Sequence, residues 1–166
     1  SFQILNTANK NNPSFRSELT SGTPKLVTPS SVVVDGVYAY IASYNDNSIE
    51  VLDVTDPSNP IHTWSITASS TIPLYWANDL KKVWNYLYVT SYISDSLSII
   101  DVSTPTAPTY STGIANADAG TRLNGAKGVD VVWNYAYISS YQHDALQIID
   151  ITTPTAPSVS WFLQDA

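Results

Sequence analysis

Apolar and polar residues alternate along most of this chain, in short runs rich in tyrosine, valine and isoleucine. In one such run Tyr38, Tyr40 and Tyr44 share one face, and the mainly apolar residues between them share the other. Period-two alternation of β-branched and aromatic residues predicts β-strands, and no stretch keeps the spacing of an amphipathic helix. The sequence therefore predicts an all-β protein.

The same pattern occurs three times along the chain. Each copy has a Tyr-x-Tyr-x-x-x-Tyr strand, an apolar run that ends in aspartate, and two prolines three residues apart. The aspartates Asp53, Asp101 and Asp150 are 48 and 49 positions apart, and Asn6 marks a partial fourth copy 47 positions before Asp53. Because the repeat is this long, we expect each copy to be one unit that buries its faces only against its neighbours.

Four strands fit into each complete copy, separated by residues that favour turns. In the first copy the predicted strands span 31–34, 37–44, 48–54 and 61–66. The pair Asp35-Gly36 forms the first turn there, and a Trp-Asn pair, beginning at Trp84 and at Trp133, replaces it in the other copies. We expect the asparagines to supply the left-handed conformation that Gly36 supplies in the first copy.

Four-stranded antiparallel units repeated every ~40 to 50 residues are typical of β-propeller blades. An immunoglobulin-like sandwich fits less well, because it has about seven strands per 100 residues and no blade-length repeat. The predicted fold is a single domain, 1–166, with an N-terminal half-blade (1–19) and three complete blades (27–66, 80–114 and 127–163). Since a closed propeller usually has about four to eight blades, we expect an open arc or a segment of a larger propeller.

Two segments of the third copy also carry a family resemblance. Residues 133–141 read Trp-Asn-Tyr-Ala-Tyr-Ile-Ser-Ser-Tyr, and residues 146–157 read Leu-Gln-Ile-Ile-Asp-Ile-Thr-Thr-Pro-Thr-Ala-Pro. They resemble the LVIVD-repeat β-propellers, whose blades carry a Gly-Asn-Tyr-Ala-Tyr-Val-Ala strand and a Leu-Gln-Ile-Ile-Asp-Val-Ser-Asp-Pro-x-x-Pro strand. The resemblance covers nearly the whole chain apart from the loops between copies. It implies the propeller fold and a tendency toward secreted and surface proteins of bacteria and archaea, and it brings no catalytic residues.

Charge and composition narrow the function classes. Seven basic and fourteen acidic residues give a net charge of −7, which disfavours nucleic acid and anionic membranes as partners. Charged residues make up only 13% of the chain, and this polar, weakly charged composition is typical of secreted and surface proteins. The absence of cysteine excludes disulfides, thiolate metal sites and a cysteine nucleophile. We expect a processed or excised chain, because it begins at Ser1 and has no methionine, and no leader or membrane-spanning run occurs in it.

The repeated polar and aromatic residues are interpreted as structural. Asp53, Asp101 and Asp150 would suit a ring of ligands, but each ends a strand before a proline corner, where aspartate caps backbone N–H groups. Asn47, Asp95 and Asp144, which recur after the tyrosine strand, lack the spacing of a calcium loop and are interpreted as turn formers. The repeated tyrosines are interpreted as core residues between stacked blades.

Signatures of catalysis are absent from the sequence. The two histidines, His62 and His143, occupy non-equivalent positions in the repeat, and there is no G-x-S-x-G, no H-E-x-x-H and no Gly-rich phosphate loop. We therefore expect no enzyme activity, no metal and no cofactor.

The connectors between the copies depart from the repeat and carry the candidate binding residues. Tyr75 and Trp76 form an aromatic pair of a kind enriched at interfaces, and Arg122 and Lys127 add cations in the next connector. A buried loop plug is the alternative for the aromatic pair. Five of the seven basic residues fall in or beside connectors, which predicts one relatively basic rim: Lys25, Lys81, Lys82, Arg122 and Lys127.

Two proline corners are candidate O-glycosylation sites by composition, because threonine alternates with proline there. The candidate acceptors are Thr104, Thr106, Thr153 and Thr155. Rigid corners without a modification are the structural alternative.

The sequence predicts a non-catalytic extracellular or cell-surface module with a structural or interaction role. Its expected partners are other copies of itself, joined through open blade edges into a filament or surface array, or another surface protein. Glycans are a further candidate partner, with Trp76 as the residue to test, whereas nucleic acid binding and membrane insertion are not expected. The alternative is an enzyme or a small-ligand or carbohydrate-binding propeller that uses the central channel or the connector loops.

Overall fold

All regular structure in the described part of the chain is β-strand. The computed structural model describes residues 1–19 and 25–165, and it contains no helix in those ranges and hence none there that could cross a membrane. The strands are β1 (Phe2–Asn6), β2 (Ser14–Leu19), β3 (Pro29–Asp35), β4 (Tyr38–Ser43), β5 (Ser48–Asp53), β6 (Ile61–Thr67), β7 (Ala77–Val83), β8 (Tyr86–Ser91), β9 (Ser96–Asp101), β10 (Thr109–Ala115), β11 (Ala126–Val132), β12 (Tyr135–Ser140), β13 (Ala145–Asp150) and β14 (Ser158–Gln164).

The strands form antiparallel sheets that follow the order of the chain. β1 pairs with β2, and the three larger sheets are β3 to β6, β7 to β10 and β11 to β14. We call them the half-blade and the first, second and third blades. This arrangement confirms the predicted all-β fold built from propeller blades. In the first blade the observed strand ends lie within two residues of the predicted ones.

Successive blades pack face to face and share the hydrophobic core. One buried cluster lies between the first and second blades, another between the second and third, and a smaller one joins the half-blade to the first blade. Tyr40 and Tyr88, the middle tyrosines of the first two copies, are buried in these clusters, as predicted. Each fully buried leucine or isoleucine contributes roughly 1.5–3 kcal/mol of hydrophobic stabilisation. The third tyrosine of each copy lies outside the core, at one end of its blade, so the interpretation of the repeated tyrosines as core residues is wrong for this position.

The first strands of the blades, β3, β7 and β11, lie side by side where the blades meet. Asp79 of β7 joins them, because its carboxylate accepts hydrogen bonds from Ser31 Oγ of β3 at 2.7 Å and from the Val129 N–H of β11 at 3.0 Å. We call the end at which these strands begin the connector rim, which also carries the turns after β4, β8 and β12. The opposite end, with the turns after β3, β7 and β11, is the hairpin rim.

The repeated aspartates close the third strand of each blade, as the sequence predicts. Oδ1 of Asp53, Asp101 and Asp150 accepts a hydrogen bond from the backbone N–H two residues later, in each case at 2.8 Å. Asn6 makes the same contact at 2.9 Å in the half-blade. These side chains therefore cap separate turns, and the described residues hold no cluster of three or more acidic or histidine side chains that could bind a metal.

The hairpin-rim turns differ from the predicted ones in the residue that takes the left-handed conformation. Gly36, Trp84 and Trp133 have φ angles of +58°, +51° and +57°, whereas the asparagines after the tryptophans do not have positive φ. The expectation that asparagine replaces glycine is therefore wrong. Strand pairing leaves two residues in each turn. The twist of the strands requires the first of them to be left-handed, whichever amino acid occupies the position. For a residue other than glycine this costs roughly 1–2 kcal/mol.

Turn residues on the connector rim fasten each blade to the next. Asn47 Oδ1 accepts a hydrogen bond from the Trp76 N–H at 2.8 Å, and Asp95 Oδ1 accepts one from the Gly125 N–H at 2.7 Å. Both are turn formers with positive φ, as is Asp144 in the third blade. The sequence identified them as turn residues but did not indicate that they join two blades.

The turn cap at Asp150 predicts a pH-dependent contribution to stability. Hydrogen bonds from Thr152, from its hydroxyl first and its backbone N–H second, lower the pKa of Asp150. Stability from a lowered pKa is present above the unfolded value and is lost as pH falls through the folded value. Asp150→Ala should therefore lower the urea midpoint most at about pH 7, and least below about pH 3. Asp150→Asn is the control, because Asn6 fills the equivalent position; a destabilisation by alanine that does not change with pH would contradict this account.

The contact between Asp95 and Gly125 predicts a larger effect on stability. Gly125 is buried, so its N–H would be left without an acceptor in Asp95→Ala, at a cost of about 1–3 kcal/mol. Asp95→Asn should cost less than about 1 kcal/mol, because Asn47 makes the same contact one blade earlier. Chemical unfolding of the two variants measures the difference, and equal destabilisation by alanine and asparagine would exclude the proposed cap.

Candidate functional site

A continuous row of aromatic side chains crosses all three complete blades on the connector rim. We call Tyr44, Trp76, Tyr92 and Tyr141 the aromatic row. The ring centroids are 4.9 Å apart for Tyr44 and Trp76, 5.9 Å for Trp76 and Tyr92, and 6.5 Å for Tyr92 and Tyr141. These distances are typical of favourable aromatic pairs. The row therefore presents one connected surface, to which every complete blade contributes a tyrosine.

The repeat explains how the row is positioned. Each tyrosine directly follows the second strand of its blade, and Trp76 directly precedes β7, the first strand of the second blade. Because neighbouring blades place these strand ends next to one another, residues about 48 positions apart in the chain become neighbours in space. Trp76 then fills the space between a tyrosine of the first blade and a tyrosine of the second.

The backbone holds Trp76 in a conformation that tryptophan rarely adopts. Its φ is +57°, and the residues in register with it are Thr28 at +55° and Gly125 at +67°. The Trp76 N–H is bound by Asn47, and the preceding Tyr75 N–H is bound by Ser94 Oγ at 3.0 Å. These contacts stabilise a left-handed residue at a cost of roughly 1–2 kcal/mol. Such strain is found mainly where a side chain has a function beyond folding.

Lys127 adds one positive charge to the aromatic row. Its Nζ lies 4.3 Å from the ring centroid of Tyr141 and 5.6 Å from that of Tyr92. The Lys127 backbone is fixed, because its carbonyl accepts hydrogen bonds from Asn78 Nδ2 at 3.0 Å and from the Thr90 hydroxyl. Cation–π contacts at exposed sites contribute about 0.5–1 kcal/mol each. Lys127 is therefore held over the tyrosines at one end of the row.

The structure brings together two of the four predicted binding residues and leaves two outside the row. Trp76 and Lys127 belong to the same surface, and Tyr75 is exposed beside it without joining the stack. Arg122 lies elsewhere, with its guanidinium 4.4 Å from the ring of Phe162 on the outer strand β14. The alternative of a buried aromatic plug is wrong, because Leu74 is the buried residue of this connector and Trp76 is 38% exposed.

The predicted basic rim is not observed. Lys81 and Lys82 lie toward the hairpin rim end of β7, where Lys81 pairs with Asp130 at 2.8 Å and Lys82 pairs with Asp35 at 2.7 Å. Lys25 and Arg122, in the connectors before β3 and β11, and Lys127 lie toward the connector rim, so the five cations are divided between the two rims. The prediction failed because nearness to a connector in sequence does not say at which end of a strand a residue lies.

A buried polar cluster that sequence reasoning missed lies in the first blade. Glu50 is fully buried, and it accepts hydrogen bonds from Ser48 Oγ at 2.7 Å and from Ser65 Oγ at 2.6 Å. His62 Nε2 lies 3.0 Å from both the Glu50 and the Ser65 oxygen. In a Ser-His-acid triad the acid and the hydroxyl contact opposite ring nitrogens. Here both contact the same nitrogen, so the cluster does not have the geometry of a triad.

The residues in register with Glu50 in the other two blades, Ser98 and Gln147, indicate the structural role of this position. Gln147 Oε1 accepts a hydrogen bond from the Arg122 backbone N–H at 2.7 Å, and Ser98 Oγ donates to the Pro73 carbonyl at 3.1 Å. Both contacts join the third strand of a blade to the connector that precedes the same blade. The signal in the sequence is a polar residue three positions before each repeated aspartate.

The four candidate glycosylation threonines are exposed at the corners between the third and fourth strands. Backbone hydrogen bonds close these corners, from the Ala107 N–H to the Thr104 carbonyl at 2.9 Å and from the Ala156 N–H to the Thr153 carbonyl at 2.8 Å. All four threonines are exposed: Thr104, Thr106, Thr153 and Thr155. Their O-glycosylation stays a prediction.

Solved structures with the same fold are about twice as long as this chain. A protein of unknown function from Desulfotomaculum acetoxidans aligns with a TM-score of 0.75 and 11% identity, over 99% of this chain and 50% of that one. A proposed 6-phosphogluconolactonase from Bacteroides fragilis aligns with a TM-score of 0.71 and 14% identity, over 95% and 45%. The periplasmic gluconolactonase of Pseudomonas aeruginosa aligns with a TM-score of 0.65 and 12% identity, over 83% and 42%. At such identities the likeness establishes the fold alone, and no curated protein matches the chain.

The names of these structures contradict the prediction that the chain is not an enzyme. Two of the three are named as lactonases, and a glutaminyl cyclase from Myxococcus xanthus shares the fold with a TM-score of 0.50 and 12% identity, over 72% and 47% of the two chains. The prediction rested on the absence of local motifs. It failed because the same fold carries enzymes, whose sites are built from loops that no short motif reveals.

The repeat itself identifies the family. The sequence pattern of the LVIVD repeat matches residues 29–67, 77–114 and 125–161, which together make up more than half of the chain. Each match spans the four strands of one complete blade, from its connector-rim start to its outer strand. The chain therefore belongs to the LVIVD-repeat family, as the resemblance of its strands implied.

Proposed function

We propose that this chain is an interaction module of a secreted or cell-surface propeller, and that the aromatic row is the surface with which it binds a protein partner. The observation that carries the proposal is the continuity of the row: each of four rings from three blades lies within 6.5 Å of the next, with Lys127 over one end. Packing of the blades alone does not require an exposed tryptophan at this position, because Thr28 and Gly125 fill it in the other blades.

The composition of the row favours a protein over other partners. Tryptophan and tyrosine are the residues most enriched where protein interfaces have their largest binding energies. Trp76 has an aromatic neighbour on each side, and 38% of the residue remains exposed for contact. A sugar would need a free ring face, which the row offers less readily. The low charge of the chain supports an extracellular partner.

Trp76→Gly tests the proposal without disturbing the backbone, because glycine occupies the position in register, Gly125. Relief of the left-handed strain, roughly 1–2 kcal/mol, offsets the lost ring contacts, roughly 0.5–1.5 kcal/mol per pair. We expect the stability to stay within about 2 kcal/mol of wild type and the binding of labelled chain to the producing cells to fall at least about tenfold. Flow cytometry measures that binding.

Trp64→Ala is the matched control for this experiment, since Trp64 is similarly exposed but lies on β6, outside the aromatic row. Protease treatment of the cells should abolish the binding of wild type. Loss of binding after periodate oxidation of the cells, but not after protease treatment, would show that the partner is a glycan and not a protein. Undiminished binding of Trp76→Gly would exclude the row as the binding surface.

A second candidate function, assembly through the open face of the third blade, is favoured by a comparison between blades. Leu97 of the second blade is fully buried by the third blade, whereas Leu146, in register with it, is 39% exposed. Asp144 stands in register with Asn47 and Asp95, which each bind the N–H of a following blade. We propose that this face packs against a further blade, supplied by another copy or by more of the same polypeptide.

Leu146→Lys distinguishes the two sources of that further blade. If another copy supplies it, wild type should form oligomers in sedimentation velocity, and the lysine should reduce them at least about tenfold, because burial of a charge opposes packing. Ile93→Lys is the control, since Ile93 is exposed in a turn of the second blade. A wild-type chain that stays monomeric at high concentration would exclude self-assembly, and closed rings in electron microscopy of the native material would identify a longer polypeptide.

A further inference from the structure

Two tryptophans on the hairpin rim have no explanation in the fold. Trp133 and Trp84 are 88% and 85% exposed, more than any other large apolar residue of the described chain. Both hold a left-handed turn position that Gly36 fills in the first blade. Glycine would satisfy this turn without strain, so neither packing nor turn formation accounts for an indole here. An unfavourable conformation combined with an exposed aromatic side chain points to a ligand.

The two tryptophans line the same cleft, which lies between the second and third blades. The cleft has a volume of about 190 Å³ and is bordered also by Tyr86, Tyr88 and Asn134. Pockets for drug-sized molecules usually measure roughly 300–1,000 Å³. This cleft is smaller, so it has room for one ring of a longer ligand and not for the whole ligand. None of the residues that line it carries a charge.

Tyr88 lines this cleft and makes no side-chain hydrogen bond to the described residues. The residue is only 2% exposed. Burial raises the pKa of Tyr88 to about 12, with a smaller contribution from Tyr86, so the hydroxyl remains a hydrogen-bond donor at neutral pH. This hydroxyl is not a buried unpaired atom, since in the described residues those are Ser91 Oγ and Ser140 Oγ. It reaches solvent, and is therefore available to a ligand.

We infer that the cleft between Trp84 and Trp133 binds a neutral oligosaccharide. One sugar ring enters the cleft, where its hydroxyls meet the Tyr88 hydroxyl and the Asn134 side chain. The adjoining rings lie on the exposed indole faces, since an aromatic face is complementary to the C–H face of a sugar. The uncharged lining disfavours an acidic sugar or a nucleotide, and a concave site with polar groups fits a discrete ligand better than a flat membrane surface.

The first blade provides an internal comparison. Tyr40, in register with Tyr88, is also buried without a hydroxyl partner, but Gly36 stands where the second blade has Trp84. Only the cleft between the second and third blades has an indole on each side among the described residues. Replacement of either tryptophan by glycine therefore reproduces a turn that the protein already contains.

The test is a titration of the full chain with uncharged hexasaccharides, namely cellohexaose, chitohexaose, mannohexaose and maltohexaose. Intrinsic tryptophan fluorescence and isothermal titration calorimetry report the binding. We expect at least one of them to bind wild type, and Trp84→Gly and Trp133→Gly each to weaken that binding at least about tenfold, with unfolding midpoints that do not fall. Tyr88→Phe should weaken binding without loss of stability, because it removes a hydroxyl that has no partner.

Two variants serve as controls. Trp161→Ala removes an exposed tryptophan of β14 outside the cleft, and Trp64→Ala removes one of β6; neither should alter oligosaccharide binding. Absence of binding by all four hexasaccharides at millimolar concentration would overturn the inference. So would binding that survives in the Trp84→Gly, Trp133→Gly double variant, or tryptophan-dependent binding to phosphatidylcholine vesicles or oligogalacturonate in place of the neutral sugars.

Discussion

Each blade of this protein buries its apolar face only against the next blade, and the rest of the structure depends on that contact. In the second blade Leu97 and Ile99 are fully buried because the third blade covers them. In the third blade, the last that the structure describes, Leu146 holds the equivalent position and is exposed. Hydrophobic burial supplies the free energy of this packing but is not directional. The hydrogen bonds of Asp79 and Asp95 across the blade boundaries then select one relative position of the blades.

Because most core residues lie on the strands, core packing does not determine which residues occupy the two rims. The position before the first strand is Thr28, Trp76 or Gly125, and the hairpin turn begins with glycine or tryptophan. All these residues adopt positive φ, so this feature of the backbone is kept while the side chain changes. A repeat fold thus separates two requirements: the positions shared by the blades determine packing, and the positions that differ between them are where a ligand is recognised.

The sequence predicted the parts of the structure that recur at a fixed spacing. Period-two alternation predicted the strands, and the repeated aspartates predicted the turn caps. The residues of two strands in each copy indicated the family. It did not predict the left-handed tryptophans, because residue preferences assign that conformation to glycine or asparagine, while strand pairing imposes it on Trp84. It did not predict the aromatic row either, since Tyr44, Tyr92 and Tyr141 become neighbours of Trp76 only when blades stack. Such a site has no local motif, which is also why the absence of motifs was a poor argument against catalysis.

The two proposed sites lie at opposite ends of the same strand. β7 begins directly after Trp76 and ends directly before Trp84, and seven extended residues span roughly 23 Å. No single small ligand contacts both indoles, so substitutions at one rim are expected to act independently of those at the other. β7 is paired with β8 along its length and bound to both neighbouring blades through Asp79. The distance between the sites is therefore fixed by the fold, and a chain that holds a protein at one rim and a glycan at the other would bridge them rigidly.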